Sequence, residues 1–175
     1  LSSQADTLLR CRGTLTTLVA RRGTHMRPFI PPMPAPQESL GRVLYIEDDQ
    51  LNWELAKREL TAFEMYRAVG DEQAFALIHE LGPFDLLLVD IALRASKLNG
   101  IQILKILRGN LEDWTIPNYA MGVIALDTPA IFITGFLNVY PRSTLLQAGA
   151  VDTFGKPVDF ELLVTRMKEY LHRRT

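Results

Sequence analysis

The sequence predicts an α/β domain: a doubly wound, five-stranded parallel sheet flanked by helices. Three observations predict it. From about Leu40 onward, short apolar runs alternate with helical patterns, the order that lays parallel strands side by side under crossover helices. One run, Leu86-Leu87-Leu88-Val89, is apolar without alternation, as in a central strand buried on both faces. Glycine and proline punctuate the segments where such units must turn, as at Gly82-Pro83 and Gly149.

The elements follow in order. Residues 42–46 form the first strand, and the helix after it carries Trp53, Leu55, Leu60 and Phe63 toward one buried face. Residues 65–69 are a weak second strand. Gly70-Asp71-Glu72 then gives a turn and an acidic helix start, with Phe75, Ala76, Ile78 and Leu81 as the apolar set and Gly82-Pro83 as the stop. Residues 86–89 are the third strand. Asn99-Gly100 opens a third helix whose Ile101, Ile103, Leu104, Ile106 and Leu107 face the sheet, and residues 130–134 are the fourth strand. A short helix over 143–148 ends at Gly149, residues 151–154 form the fifth strand, and an amphipathic helix over 160–171 closes the domain.

Two segments stand outside this scheme. Residues 1–39 read as a disordered or proline-rich N-terminal extension, because five prolines fall in the ten positions 28–37 and leave few amide donors for helix or sheet. Residues 1–27 bear arginine, serine and threonine with Asp6 as the only carboxylate, which also fits a transit peptide or sequence upstream of a start at Met26. Residues 40–175 are the folded domain. Within it, residues 109–129 form an extended loop between the third helix and the fourth strand, long for a compact domain. That loop is expected to add an edge strand at 123–126, to cover an apolar patch with Trp114, Ile116 and Tyr119, or to be a plain insertion.

Composition narrows the function. A formal net charge of −1 gives no whole-chain attraction to nucleic acid or to an acidic membrane surface. The apolar stretches are broken by Gly, Pro or charge well short of the roughly 20 residues that span a bilayer. The lone Cys11 has no intrachain disulfide partner, which fits a reducing, cytoplasmic setting. His25, His79 and His172 are scattered and suggest no metal cluster.

The chemistry lies at the strand ends. The first strand runs into Glu47-Asp48-Asp49, the third into Asp90, the fourth into Thr134 and the fifth into Lys156. Ligands of a parallel α/β sheet sit outside the carboxyl ends of the strands where strand order reverses. Glu47, Asp48 and Asp90 would converge there, and carboxylates this close repel unless a cation lies between them. With no His or Cys nearby, the oxygen ligand set suits a hard ion, Mg2+. A carboxylate beside such an ion can accept a phosphoryl group, which makes Asp90 the candidate phosphoacceptor, with the Thr134 hydroxyl and Lys156 ammonium recognising the phosphoryl oxygens.

On these segments, together with Asn99-Gly100-Ile101, Ile131-Phe132-Ile133-Thr134-Gly135 and Ala148-Gly149-Ala150 through Lys156-Pro157, residues 41–172 resemble the receiver domain of two-component response regulators, a flavodoxin-like fold. The resemblance implies phosphorylation of Asp90 by a histidine kinase or phosphotransfer protein. It implies Mg2+ held by Glu47, Asp48, Asp90 and the Ala92 carbonyl, and a switch through Thr134 and Lys156. It further implies a cis-proline at Pro157 and signalling to a downstream protein target through residues 143–171, with a homodimer as a further mode of contact. With no DNA-binding or catalytic segment read after Thr175 in this sequence, output is expected through protein contact or onward phosphate transfer.

Departures from the family pattern are equally specific. Thr153 occupies the switch-aromatic position, and the adjacent Phe154 should point to the opposite face of the strand. The connection from Asp90 to Gly100 is longer than usual and lacks the common proline. Two rival readings remain: a phosphorylation-independent, receiver-like scaffold, and a haloacid-dehalogenase-type phosphatase. The latter wants a second acid two residues beyond its nucleophile, where this chain has Ala92. A non-enzymatic role is therefore expected.

Overall fold

The computed structural model describes residues 39–94, 96–110, 116–122 and 125–173. The expected extension over 1–39 lies outside these apart from Ser39, as do Trp114 and half of the expected edge strand at 123–126.

Five parallel strands form one sheet in the order β2-β1-β3-β4-β5. They are β1 (Arg42–Ile46), β2 (Glu64–Ala68), β3 (Leu86–Val89), β4 (Ala130–Thr134) and β5 (Asp152–Gly155). The helices are α1 (Gln50–Glu59), α2 (Asp71–Leu81), α3 (Gly100–Leu107), α4 (Arg142–Gln147) and α5 (Phe160–His172). The chain leaves β1 outward to β2 and returns past it to β3, so strand order reverses between β1 and β3. That reversal opens a crevice at their carboxyl ends.

Strand alternation sorts the core into two halves. Leu44, Ile46, Leu87, Val89 and Phe132 pack against α2, α3 and α4 through residues such as Phe75, Ile103, Leu107 and Leu145. Val43, Tyr45, Leu88, Ile131 and Phe154 pack against α1 and α5 through Ala56, Leu163 and Met167. Burying one such side chain stabilises the fold by roughly 1.5–3 kcal/mol.

Several expectations shift in detail. β2 and β5 sit one residue from their predicted bounds, and α4 begins at Arg142. Leu55 is exposed, because two residues on from Trp53 it is rotated by about 200° around the helix. Ala56 fills the buried position instead, while Leu60 and Phe63 are buried just past the last helical turn. In α2 the buried pair is Ala74 and Phe75, with Ala76 and Leu81 facing outward. Ala125 and Leu126 are not in a strand; within the loop a 3-10 turn at Asn118–Ala120 forms, and Ile116 and Tyr119 pack on the α2–α3 half of the core. The covering reading of the loop thus holds for those two residues.

Helix ends are built from the sequence signals. Asn99 caps α3 in a reciprocal box: its side chain accepts from the Gln102 amide at 2.9 Å and the Gln102 side chain accepts from the Asn99 amide at 2.7 Å. Gly149 follows α4 at φ +99°, where a side chain would also meet Arg108. Arg108 itself donates to the carbonyls of Leu126, Thr128 and Gly149, tying the end of α3 to the segment before β4.

One buried carboxylate fastens the β5 edge. Asp152 accepts from Arg166 at 2.9 Å and pairs with Arg142 at 2.6 Å. Burial alone would raise its carboxyl, but the bonds from Arg166, the Thr153 amide and Arg142 outweigh that and hold its pKa below the ordinary value. An acid depressed on folding contributes stability above its unfolded pKa near 3.9, and that contribution disappears as pH falls through the lower folded value. Asp152→Asn is expected to cost about 1–3 kcal/mol at pH 7, discounted for the partial exposure of both arginines. Its denaturant midpoint should also fall less steeply than the wild type's below about pH 4. Parallel acid limbs for the two proteins would refute this.

Candidate functional site

The site grows from the ends of β1 and β3. Ile46 pairs with Val89 across the two strands, and the next residues are held in step: the Glu47 amide donates to Ala68 and the Asp90 amide to Ile46 at 2.9 Å. Glu47, Asp48 and Asp90 each offer a carboxylate oxygen within 4.8 Å of the other two. The three acids singled out from the sequence therefore do meet.

Of the three consecutive acids, the third has other work. Asp49 is the N-cap of α1, accepting from the Leu51 and Asn52 amides at 2.9 and 3.1 Å. Those amide bonds, from Asn52 first, hold its carboxyl below the ordinary value.

Glu47 is fully buried. Its Oε2 accepts from the Tyr45 hydroxyl at 2.7 Å and from Lys156 Nζ at 2.6 Å, while Oε1 accepts from the Asp49 amide at 3.0 Å. Lys156 Nζ also donates to Asp90 Oδ2 at 2.6 Å, so one ammonium joins two carboxylates across the crevice. Asp90 Oδ1 accepts from the Ala92 amide at 3.3 Å. Burial pushes the Asp90 carboxyl above its ordinary value, more than the Lys156 ammonium pulls it down. Burial also works against the Lys156 charge, yet its bonds to Asp90 and Glu47 prevail and raise its pKa.

Thr134 and Lys156 lie on the neighbouring strands. Thr134 is buried at the end of β4, two residues past the Phe132 that pairs with Val89, and the Lys156 amide donates to its carbonyl at 3.0 Å. Its hydroxyl accepts from the Phe136 amide at 3.1 Å. The Lys156–Pro157 bond is cis. Phe154 points into the α1–α5 half of the core, and Thr153 lies on the other face, where its hydroxyl accepts from Arg142 at 3.0 Å.

Three contributors, Tyr45, Arg67 and Arg94, have no role in the sequence reading, and a fourth, Gly100, enters it only as a helix start and part of the family motif. Tyr45 alternates with Glu47 on one strand face, a spacing that could have revealed it. Arg67 of β2 reaches over to donate to the Glu47 and Asp48 carbonyls at 3.0 and 2.9 Å and so fixes the acidic turn. The Arg94 amide donates to Asp48 Oδ2 at 3.1 Å, and its guanidinium stands 3.5 Å from Asp49. Gly100 packs directly on the Asp90 carbonyl. The contacts of Arg67 and Arg94 depend on approach between segments about 20 and 46 positions apart in sequence.

Three carboxylates face the Lys156 ammonium in this crevice, with the exposed Arg94 guanidinium 3.8 Å from Asp48, and negative charge remains in excess around hard oxygen donors. That donor set fits a divalent cation of the magnesium kind.

A family model for the response regulator receiver domain matches residues 43–168. The transcriptional regulatory protein MalR of Bacillus subtilis is 31% identical over 135 residues, covering 75% of this chain and 51% of MalR. The transcriptional regulatory protein TrcR of Mycobacterium tuberculosis is 30% identical over 134 residues, covering 75% of this chain and 46% of TrcR. The chain thus spans about half the length of these curated relatives. Among solved structures, the receiver domain of the Francisella response regulator 1452 superposes with a TM-score of 0.63 at 22% identity, over 77% of this chain and 99% of that one.

Proposed function

This chain belongs to the response regulator receiver domain family, and from that premise we propose that it accepts a phosphoryl group on Asp90 in a Mg2+-dependent reaction. The observation that carries the proposal is the Lys156 ammonium joined at 2.6 Å to both Glu47 and Asp90 beside Asp48. Receiver domains act in two-component signalling and are in general not enzymes. Within the chain, residues 40–175 form the receiver and 1–39 an extension.

Glu47, Asp48, Asp90 and the Ala92 carbonyl would hold the cation, whose chemistry is to offset charge on the phosphoryl oxygens. An Asp90 carboxylate oxygen attacks the phosphorus of a phosphohistidine, a P–O bond forms, the P–N bond breaks, and the imidazole leaves with the electron pair and takes a proton. Lys156 is already placed to shift from Asp90 to a phosphoryl oxygen. Thr134 follows by turning its hydroxyl from the Phe136 amide to donate to another. The new charge, roughly −1.5 to −2, is the local event that a bistable surface must read. That surface is residues 143–171, and within it Thr153, whose hydroxyl accepts from Arg142, stands where the family carries an aromatic ring. The donor is a histidine kinase or phosphotransfer protein, and the reader a downstream protein or a second copy of the chain.

Incubation of the purified protein with acetyl phosphate and Mg2+ tests this. One hydroxylamine-labile phosphoryl group per chain is expected by mass spectrometry, and none when EDTA replaces Mg2+. No uptake, with no magnesium-dependent change on adding beryllofluoride, would favour the scaffold reading instead.

A further inference from the structure

The β3–α3 connection, residues 90–99, carries both the acceptor and the Ala92 carbonyl, and its far end is clamped by α2. Gly70 caps α2 without a side chain, so the first helical amide, Asp71, is left to find a partner. It donates to Ser96 Oγ at 3.0 Å, a cap supplied from the connection itself. The Ser96 hydroxyl in turn donates to the Leu98 carbonyl at 2.7 Å. The Asp71 carboxylate, buried, then accepts from the Leu98 amide at 3.0 Å through Oδ2.

The same Oδ2 accepts from the hydroxyl of Tyr119 at 2.5 Å, and Tyr119 belongs to the long α3–β4 loop. The Tyr119 ring lies 6.1 Å from that of Phe75 on α2, and Lys97 of the connection sits over it at 5.5 Å. Ala120 beside it is buried in the core, which anchors the turn. Beyond Leu98 the chain passes through the Asn99 cap to Gly100, packed on the Asp90 carbonyl. A contiguous path therefore runs from Tyr119 through Asp71 and Leu98 to the backbone of the acceptor.

We propose that Tyr119 is a positioning residue for the phosphoacceptor site: it orients the Asp71 carboxylate on the Leu98 amide and so fixes the connection that supplies Ala92 to the cation. This gives the α3–β4 loop a task in the reaction. The inference rests on the reading of Glu47, Asp48 and Asp90 as the cation site. Without the hydroxyl, Asp71 Oδ2 loses a donor and the connection gains freedom. Cation binding then has to restrict that freedom, as when a residue behind a metal ligand is removed.

Tyr119→Phe keeps the ring and its packing while deleting the hydroxyl. Compared with wild type and the exposed-site control Asn118→Ala, it is expected to weaken Mg2+ binding about tenfold by fluorescence titration. It should also speed hydrogen exchange at the Leu98 amide while the β3 amides keep their protection. Unchanged Mg2+ affinity, unchanged Leu98 exchange, or faster exchange spread evenly through the sheet would overturn the inference. A wild type that binds no Mg2+ would overturn it too, by removing the cation site beneath it.

Discussion

Asp90→Asn is expected to abolish phosphate uptake from acetyl phosphate, by a factor on the order of 10³ or more, while leaving the fold intact. The two side chains match in shape, and the amide oxygen can still accept from Lys156, as Asp90 Oδ2 does at 2.6 Å. What is lost is the carboxylate oxygen that attacks phosphorus, and a neutral amide is a far poorer nucleophile. Stability should move little or rise. Burial already disfavours the charged form of Asp90, as its raised pKa records, and an acid raised on folding opposes the folded state at pH values above its unfolded pKa. The neutral variant removes that penalty, and Lys156 keeps Glu47 as its partner. Mass spectrometry and thermal unfolding on the same sample check both halves. Continued uptake by the variant would move the acceptor elsewhere, first to Asp48, the next carboxylate in the cluster.

Why was so much of this site legible in the sequence? Each element of it is tied to a strand end, and strand ends are marked by a change from apolar to polar residues. The runs 43–46 and 86–89 announce β1 and β3 by composition alone, so Glu47 and Asp90 follow at the termini without any knowledge of contacts. Helix faces read less well where two adjacent apolar residues compete. Leu55 and Ala56 both suit a helix, and the one facing inward is set by how α1 lies on the sheet. What stayed hidden was long-range. Arg67 looks like one more charged residue of a weak strand, and only the β1–β2 pairing brings it over the acidic turn. Tyr119 reads as an aromatic in an irregular loop. Its hydroxyl finds Asp71 across 48 positions of sequence, a distance over which periodicity carries no information.

Gly100→Ala is expected to destabilise the domain by about 3 kcal/mol or more, lowering the thermal midpoint by roughly 10 °C. Taken alone, the change looks favourable, because alanine outranks glycine in helix propensity by about 1 kcal/mol. Contact decides otherwise. A Cβ on Gly100 would run into the Asp90 carbonyl oxygen and lie 2.8 Å from Val89 Cγ1. Neither neighbour can yield cheaply: β3 is paired on both sides within the sheet, and the Gly100 amide already donates to Ile91 at 3.0 Å. On the other side, α3 is held by the Asn99 capping box and by Ile103, Leu104 and Leu107 in the core. The helix must therefore lift off the sheet or the Asp90 backbone must rotate, and either movement disturbs the acceptor. In the fraction that still folds, phosphate uptake should slow along with the loss of stability, which a kinetic assay at low temperature would show. A midpoint within about 2 °C of wild type would mean that α3 does not approach β3 this closely.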